Sequence, residues 1–385
     1  MKKYLFLLLL PHYVFASAVT PVDDTEIVFV LEKVSGSESQ SDLVQKIQKH
    51  RNNPEDYYLS HELAKTYIEL AKSENNVRYF GRAQAVIKPW WDSRDSRMLL
   101  FKAAILQFNH EFSPAIEVLT QILKQEPLNF QARLMRANIY LVTGNYERSY
   151  RDCVSLSVSG APLLSAVCAA GSSGMMLEDD EFNDLSLRLN SMLTNDNSVP
   201  NDYQAWMISV FSDLLMARGQ YVAAEKILNK TLNYAPNNLQ LLSLMADLFL
   251  HQQRYLEVIE LLRDHKEHTS MLLRLAIAEK RLNRVKVLNE YIEELEMRFK
   301  EDALRGQRLH LRESAYFTLY VKDDVEAAIE LVNENWQQQK EISDMRLLYD
   351  VSRLNKSKNV EEELVQWKQT NNLRTQSSNI SFLGG

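Results

Sequence analysis

Glycine and proline are scarce, 10 and 9 among 385 residues. A β-rich fold with many tight turns needs more of both, and a collagen-like or flexible-linker chain needs far more. Cysteine is nearly absent: only Cys153 and Cys168 occur. No apolar run is long enough to cross a bilayer. There is no H-E-x-x-H, no glycine-rich phosphate loop followed by lysine and no G-x-S-x-G, so no catalytic constellation, metal or cofactor is expected. Basic residues are outnumbered by acidic ones, 44 to 51, for a net charge of −7. That balance argues against a broad electrostatic nucleic-acid footprint. What is abundant is helix-forming: Leu, Ala, Glu, Gln, Lys and Arg, within 45% hydrophobic and 25% charged residues.

The N-terminus has the three parts of a secretory signal: Lys2 and Lys3, the apolar run Tyr4 to Leu10, then Ala16-Ser17-Ala18 with small residues at the −3 and −1 positions. Residues 1–18 read as a cleaved signal peptide, with cleavage after Ala16 the competing choice. No Cys stands directly after the cleavage region, so a lipid anchor is not expected. Losing two lysines takes the charge to −9. The expected address is a bacterial periplasm, with secretion as the alternative. In such an oxidising compartment Cys153 and Cys168 are a disulfide candidate, against the plainer reading of two buried thiols.

A rhythm of about thirty-four residues runs through the chain. Small residues recur at Ala103, Ala137, Gly171, Ser212, Ala246 and Ala315. Large partners stand at Tyr140 and Phe249, and Gly144-Asn145-Tyr146 is echoed by Gly219-Gln220-Tyr221. Pro127 and Pro236 punctuate the pattern. Near the C-terminus Ala315, Ala327 and Leu331 repeat the internal spacing. With these residues the chain resembles the tetratricopeptide repeat family, as found in exported bacterial proteins of uncharacterised function. The resemblance implies an all-α fold, an α-solenoid wound as a right-handed superhelix of helical hairpins. Small residues in it let paired helices approach, and proline stops the second helix of a unit. The expected layout is a signal peptide (1–18), an N-terminal arm and first helix (19–54), the repeat solenoid (55–370) and a disordered tail (371–385). Within the arm, Ile27 to Leu31 is an apolar run of undecided form. Tyr79, Phe80, Trp90 and Trp91 are expected to cap the N-terminal end of the stack.

The same resemblance implies a concave face built from the first helix of each unit, where the family commonly holds a peptide or partner helix. Its phase places Arg97, Gln107, Phe108, Gln131, Leu134, Asn138, Met175, Met176, Trp206, Asp213, Met216, Asp247, Tyr316 and Tyr320 on that face. The family's grip on a C-terminal carboxylate needs basic groove residues. Asn138 matches one position of it, but Leu134, Ser172 and Asp213 stand where others are needed, so that mode is not expected. The leading expectation is a non-enzymatic scaffold that binds another envelope or exported protein or peptide. A self-associating spacer is one alternative. A metal-handling or enzymatic protein, using His265 and His268, is the other.

Overall fold

The structure is a computed structural model that describes residues 37–73, 78–195, 201–304, 311–356 and 358–383. The expected signal segment and the run Ile27 to Leu31 lie outside these residues. Among the described residues there are nineteen α-helices and no strand. After α1 (Ser37–Asn52) they pair as antiparallel hairpins. The first three are α2 (Tyr57–Ser73) with α3 (Arg78–Ile87), α4 (Ser96–Phe108) with α5 (Phe112–Gln125), and α6 (Phe130–Val142) with α7 (Tyr146–Ser155). The next three are α8 (Pro162–Ser173) with α9 (Asp179–Asn195), α10 (Asn201–Ala217) with α11 (Tyr221–Leu232), and α12 (Leu239–His251) with α13 (Tyr255–Leu262). The last are α14 (Thr269–Arg281) with α15 (Val285–Leu304), α16 (Leu311–Tyr316) with α17 (Val325–Gln338), and α18 (Ile342–Asn355) with α19 (Lys358–Thr370). This is an all-α solenoid of tetratricopeptide-type hairpins. No helix among the described residues is long and apolar enough to cross a membrane.

Local chemistry sets the joints. Asp95, Asn129 and Asn238 each cap a first helix by accepting backbone N–H groups of its first turn. The last two follow Pro127 and Pro236 by two residues, so one short phrase stops a hairpin and starts the next. Within most of these hairpins, though not at the α8–α9 turn with Gly174 at φ −63°, the chain reverses through a residue with positive φ, as at Gly144 (φ 74°) and Gly219 (φ 74°). The following N–H then bonds back to the helix, Asn145 to the Tyr140 carbonyl at 2.7 Å and Gln220 to that of Leu215 at 2.8 Å.

The small residues do what close packing requires. Ala103, Ala137, Ser212, Ala246 and Ala315 are all fully buried. The first four are matched twelve positions on by a small or branched residue, Ala115, Ser149, Ala224 and Val258, all buried. The last pair departs from the expected spacing. Ala328 is buried and Ala327 is exposed, so the internal interval after Ala315 is thirteen. The reason is a π-turn over Phe317–Val321, which adds one residue to the first helix of that hairpin. Tyr79 and Phe80 are buried in the core between α2, α3 and α4, with Trp90 and Trp91 packed against it.

First helices stack on first helices, from α2 through α18, and so form the inner face. The coil closes on itself. The Lys340 N–H donates to the Val142 carbonyl at 2.7 Å, joining the turn after α6 to the start of α18. Tyr146 and Trp367 lie 6.3 Å apart between ring centres. The third hairpin thus touches the ninth.

Candidate functional site

The expected disordered tail is a correction. Beyond a turn at Asn371 and Asn372 the chain runs back into the closed coil, and Leu373, Thr375, Ile380, Ser381 and Phe382 are buried. A short helical turn, Ser377–Ile380, packs against α10 and α18. The polar composition that suggests disorder serves here to bond the groove walls.

The tail is held mainly through its backbone. The Arg374 N–H donates to the Met175 carbonyl at 2.7 Å. The Thr375 hydroxyl donates to the carbonyl of Ala217, and the Asn379 carbonyl accepts the Tyr221 hydroxyl at 3.0 Å. Arg346 donates to the Ile380 carbonyl at 2.5 Å and His251 Nδ1 to that of Ser381 at 2.7 Å. The Phe382 N–H donates to Asp350 Oδ2 at 3.0 Å. The Phe382 ring lies 5.7 Å from Tyr316 and 5.3 Å from Tyr320, with the Arg346 guanidinium carbon 4.1 Å from its centre. Aromatic faces and a guanidinium together make an aromatic-selective socket.

Behind the tail lies a buried charge network that ties four first helices together. Asp247 on α12 accepts from Arg274 Nε on α14 at 2.6 Å and from Arg346 on α18 at 3.1 Å. Arg346 also donates to the hydroxyl of Tyr316, on α16, at 2.7 Å. Burial by itself would raise the Asp247 carboxyl, but the two arginines outweigh it and hold the group below the usual carboxylate value. Asp350 goes the other way: burial raises it, against bonds donated by Ser381, Tyr320 and Phe382. Burial also lowers His251. Asp213, on α10, is raised to about 7 by burial, with Glu341 and Asp247 adding to the effect and Arg346 and Arg312 opposing it.

The expected groove residues therefore divide. Met216, Asp247 and Tyr316 lie on first helices and Tyr320 in the π-turn that extends α16, while Met175 lies in the turn after α8; all five are buried, where a partner was expected to reach them. The tail accounts for this at Met175, Tyr316 and Tyr320, and the arginines occupy Asp247. Met176, Trp206 and Asp213 are partly accessible. Toward the N-terminal end Arg97 and Gln131 are exposed, and Gln107, Phe108 and Asn138 are partly so. Phe108 stacks on Phe80 with ring centres 3.8 Å apart, so it belongs more to the core than to the surface. Leu134 is buried.

Arg346, Arg274, Asp350 and His251 were not singled out in the sequence. Their partners lie 27 to 130 residues away, beyond the reach of local pattern. The one available hint is Leu373, Ile380 and Phe382, apolar residues spaced through a polar end. Cys153 on α7 and Cys168 on α8 are joined as a disulfide, with Cα atoms 5.3 Å apart. His265, Glu267 and His268 do come together before α14, with ligand-type atoms within 4.8 Å of one another. Three donors from one short turn, without a fourth in the group, fall short of a closed tetrahedral site.

The hairpin array defines the class of fold, an α-solenoid of helical hairpins. Residues 28–155 match the family described as Tetratricopeptide repeat protein 21 ARM repeat. Comparison with curated proteins finds no match. Among solved structures, the chain is similar to a human IFIT1 dimer with PPP-AAAA, at 11% identity and a TM-score of 0.43, covering 87% of this chain and 86% of that one. It is also similar to the APC/C hetero-tetramer Cut9-Hcn1, at 13% identity and 0.32, covering 89% and 79%. A third likeness is to the P58(IPK) TPR domain, at 13% and 0.24, covering 87% and 95%.

Proposed function

We propose that the protein is an exported, non-enzymatic scaffold that holds another envelope or exported protein, by an extended segment or a helix, against its stacked first helices. Helical-hairpin arrays of this type commonly serve as protein-interaction scaffolds. The observation that carries the reading is the unbroken stack from α2 to α10, a curved surface on which Arg97, Gln107, Gln131, Asn138 and Trp206 keep accessible area. Polar side chains beside an aromatic one suit a polypeptide backbone with occasional apolar anchors. Export rests on Lys2, Lys3, the apolar run and Ala16-Ser17-Ala18.

The test is site-specific photo-crosslinking in intact cells. A crosslinker at Gln131 or Arg97 is expected to capture a discrete partner. One at Val222, 82% exposed on the second helix α11, is not. Equal capture at all three positions, or none, sinks the reading. N-terminal sequencing of the mature chain is expected to begin after Ala18 or Ala16.

A further inference from the structure

We propose that the closed half of the groove is a peptide site held by the chain's own residues 373–383 as an internal ligand. The ligand that displaces them is a partner segment carrying an aliphatic residue at the end of a short helical turn, then a serine and a phenylalanine. This deepens the scaffold reading and rests on it for its biological sense.

Three observations carry the inference. First, the contacts are those of recognition. Arg346, His251 and Asp350 bind the carbonyls of Ile380 and Ser381 and the N–H of Phe382, backbone atoms that any peptide leaving a helical turn offers. Sequence preference comes from the Phe382 socket between Tyr316, Tyr320 and Arg346 and from the Ser381 hydroxyl on Asp350.

Second, the walls suit repeated opening. A permanent plug is expected to meet a wholly apolar wall. Here Leu373, Ile380 and Phe382 do join the hydrophobic core, with Phe382 against Tyr316 and Tyr320, but the tail backbone meets Arg346 and Asp350, both essentially without exposed surface. When the tail leaves, water can solvate these charges in its place. Asp247 and Arg274 remain paired with each other throughout.

Third, the tail can move without disturbing the stack. It is joined to α19 only through the turn at Asn371 and Asn372, where Asn372 is exposed with φ 53°. The closure contacts Lys340 to Val142 and Tyr146 to Trp367 do not involve it.

The test uses the full chain with a site-specific protease sequence inserted between Asn371 and Asn372. After cleavage, a fluorescent synthetic peptide of residues 372–383 is added in excess. It is expected to replace the severed tail, read by anisotropy. A Phe382→Ala peptide is expected to bind at least about tenfold more weakly, as is the native peptide to uncut chain. A peptide of otherwise unrelated sequence that keeps only Ile-Ser-Phe is expected to compete.

Several results overturn the proposal. If the cut chain stays folded by circular dichroism but never exchanges its tail, the segment is part of the core. If cutting abolishes the helical signal, the tail is a structural plug. If only the native sequence competes, no partner of the stated chemistry is read. If uncut copies form dimers by exchanging tails in light scattering, the occupant is a second copy. The synthetic probe requires no cellular partner, so exchange together with failed crosslinking at Gln131 and Arg97 would sink the scaffold reading alone.

Discussion

The Asp350 carboxylate on α18 accepts the backbone N–H of Phe382, thirty-two residues further along the chain, at 3.0 Å. The same carboxylate takes the hydroxyl of Tyr320 at 2.7 Å and that of Ser381. All three partners donate. Asp350→Asn turns one acceptor into an amide that faces donors, and it is expected to cost roughly 1–3 kcal/mol. The tail should loosen, so trypsin should cut after Arg374 faster than in the parent chain. An unchanged cleavage rate removes Asp350 as an anchor.

Gly144 and Gly160 both sit at positive φ, 74° and 83°. A Cβ on Gly144 would lie 2.4 Å from the Trp367 ring, while one on Gly160 would meet nothing within 4 Å. Gly160→Ala is thus expected to cost only the left-handed backbone penalty, about 1–2 kcal/mol. Gly144→Ala carries that and a clash at the contact between the third and ninth hairpins. Denaturant unfolding should show the larger loss at Gly144; equal losses would mean that the closure contact is absent in solution.

Asp213 gives a pH dependence with a definite sign. Its native carboxyl is raised to about 7 from an ordinary 3.8. Between roughly pH 4 and 7 the native state keeps a proton that the unfolded chain has released. Stability therefore falls as pH rises through that window and levels off above it. Asp213→Asn should flatten this slope and raise Tm at pH 8 relative to the parent. A parallel Tm profile for the variant would refute the assignment.

The bond between Cys153 and Cys168 closes a loop with a sequence separation of 15. Restricting the unfolded chain by a loop of that size is worth about 3 kcal/mol. Reduction should lower Tm without abolishing the helical signal, because α7 and α8 keep their other buried neighbours, among them Tyr146, Leu156, Leu164 and Val167. No change in Tm on reduction would show that the bond does not form.

The hairpins were legible because their determinant is local and repeated. Only a small side chain fits where paired helices cross, and Ala103 with Ala137, and Ser212 with Ala246, announce that at the same interval on either side of an insertion. The shift from Ala327 to Ala328 was not legible, because a π-turn leaves no composition of its own. The tail misled for a different reason. Ser, Thr, Asn and Gln read as solvated when their partners are unknown, and Arg346, Asp350 and His251 become partners only once the coil has closed. Repeat phase assigns Tyr316 and Tyr320 to the first helix of their hairpin, and both rings meet Phe382. Their burial depended on a segment that phase does not govern.

The hydrogen bond from Lys340 to Val142 has a mechanical meaning. An open row of repeats is held only neighbour to neighbour, and either end can peel away unit by unit. Here the final hairpin is clasped to the third like a fastened bracelet. Its amide protons should exchange on the slow schedule of the middle of the chain rather than the fast one of a fraying end.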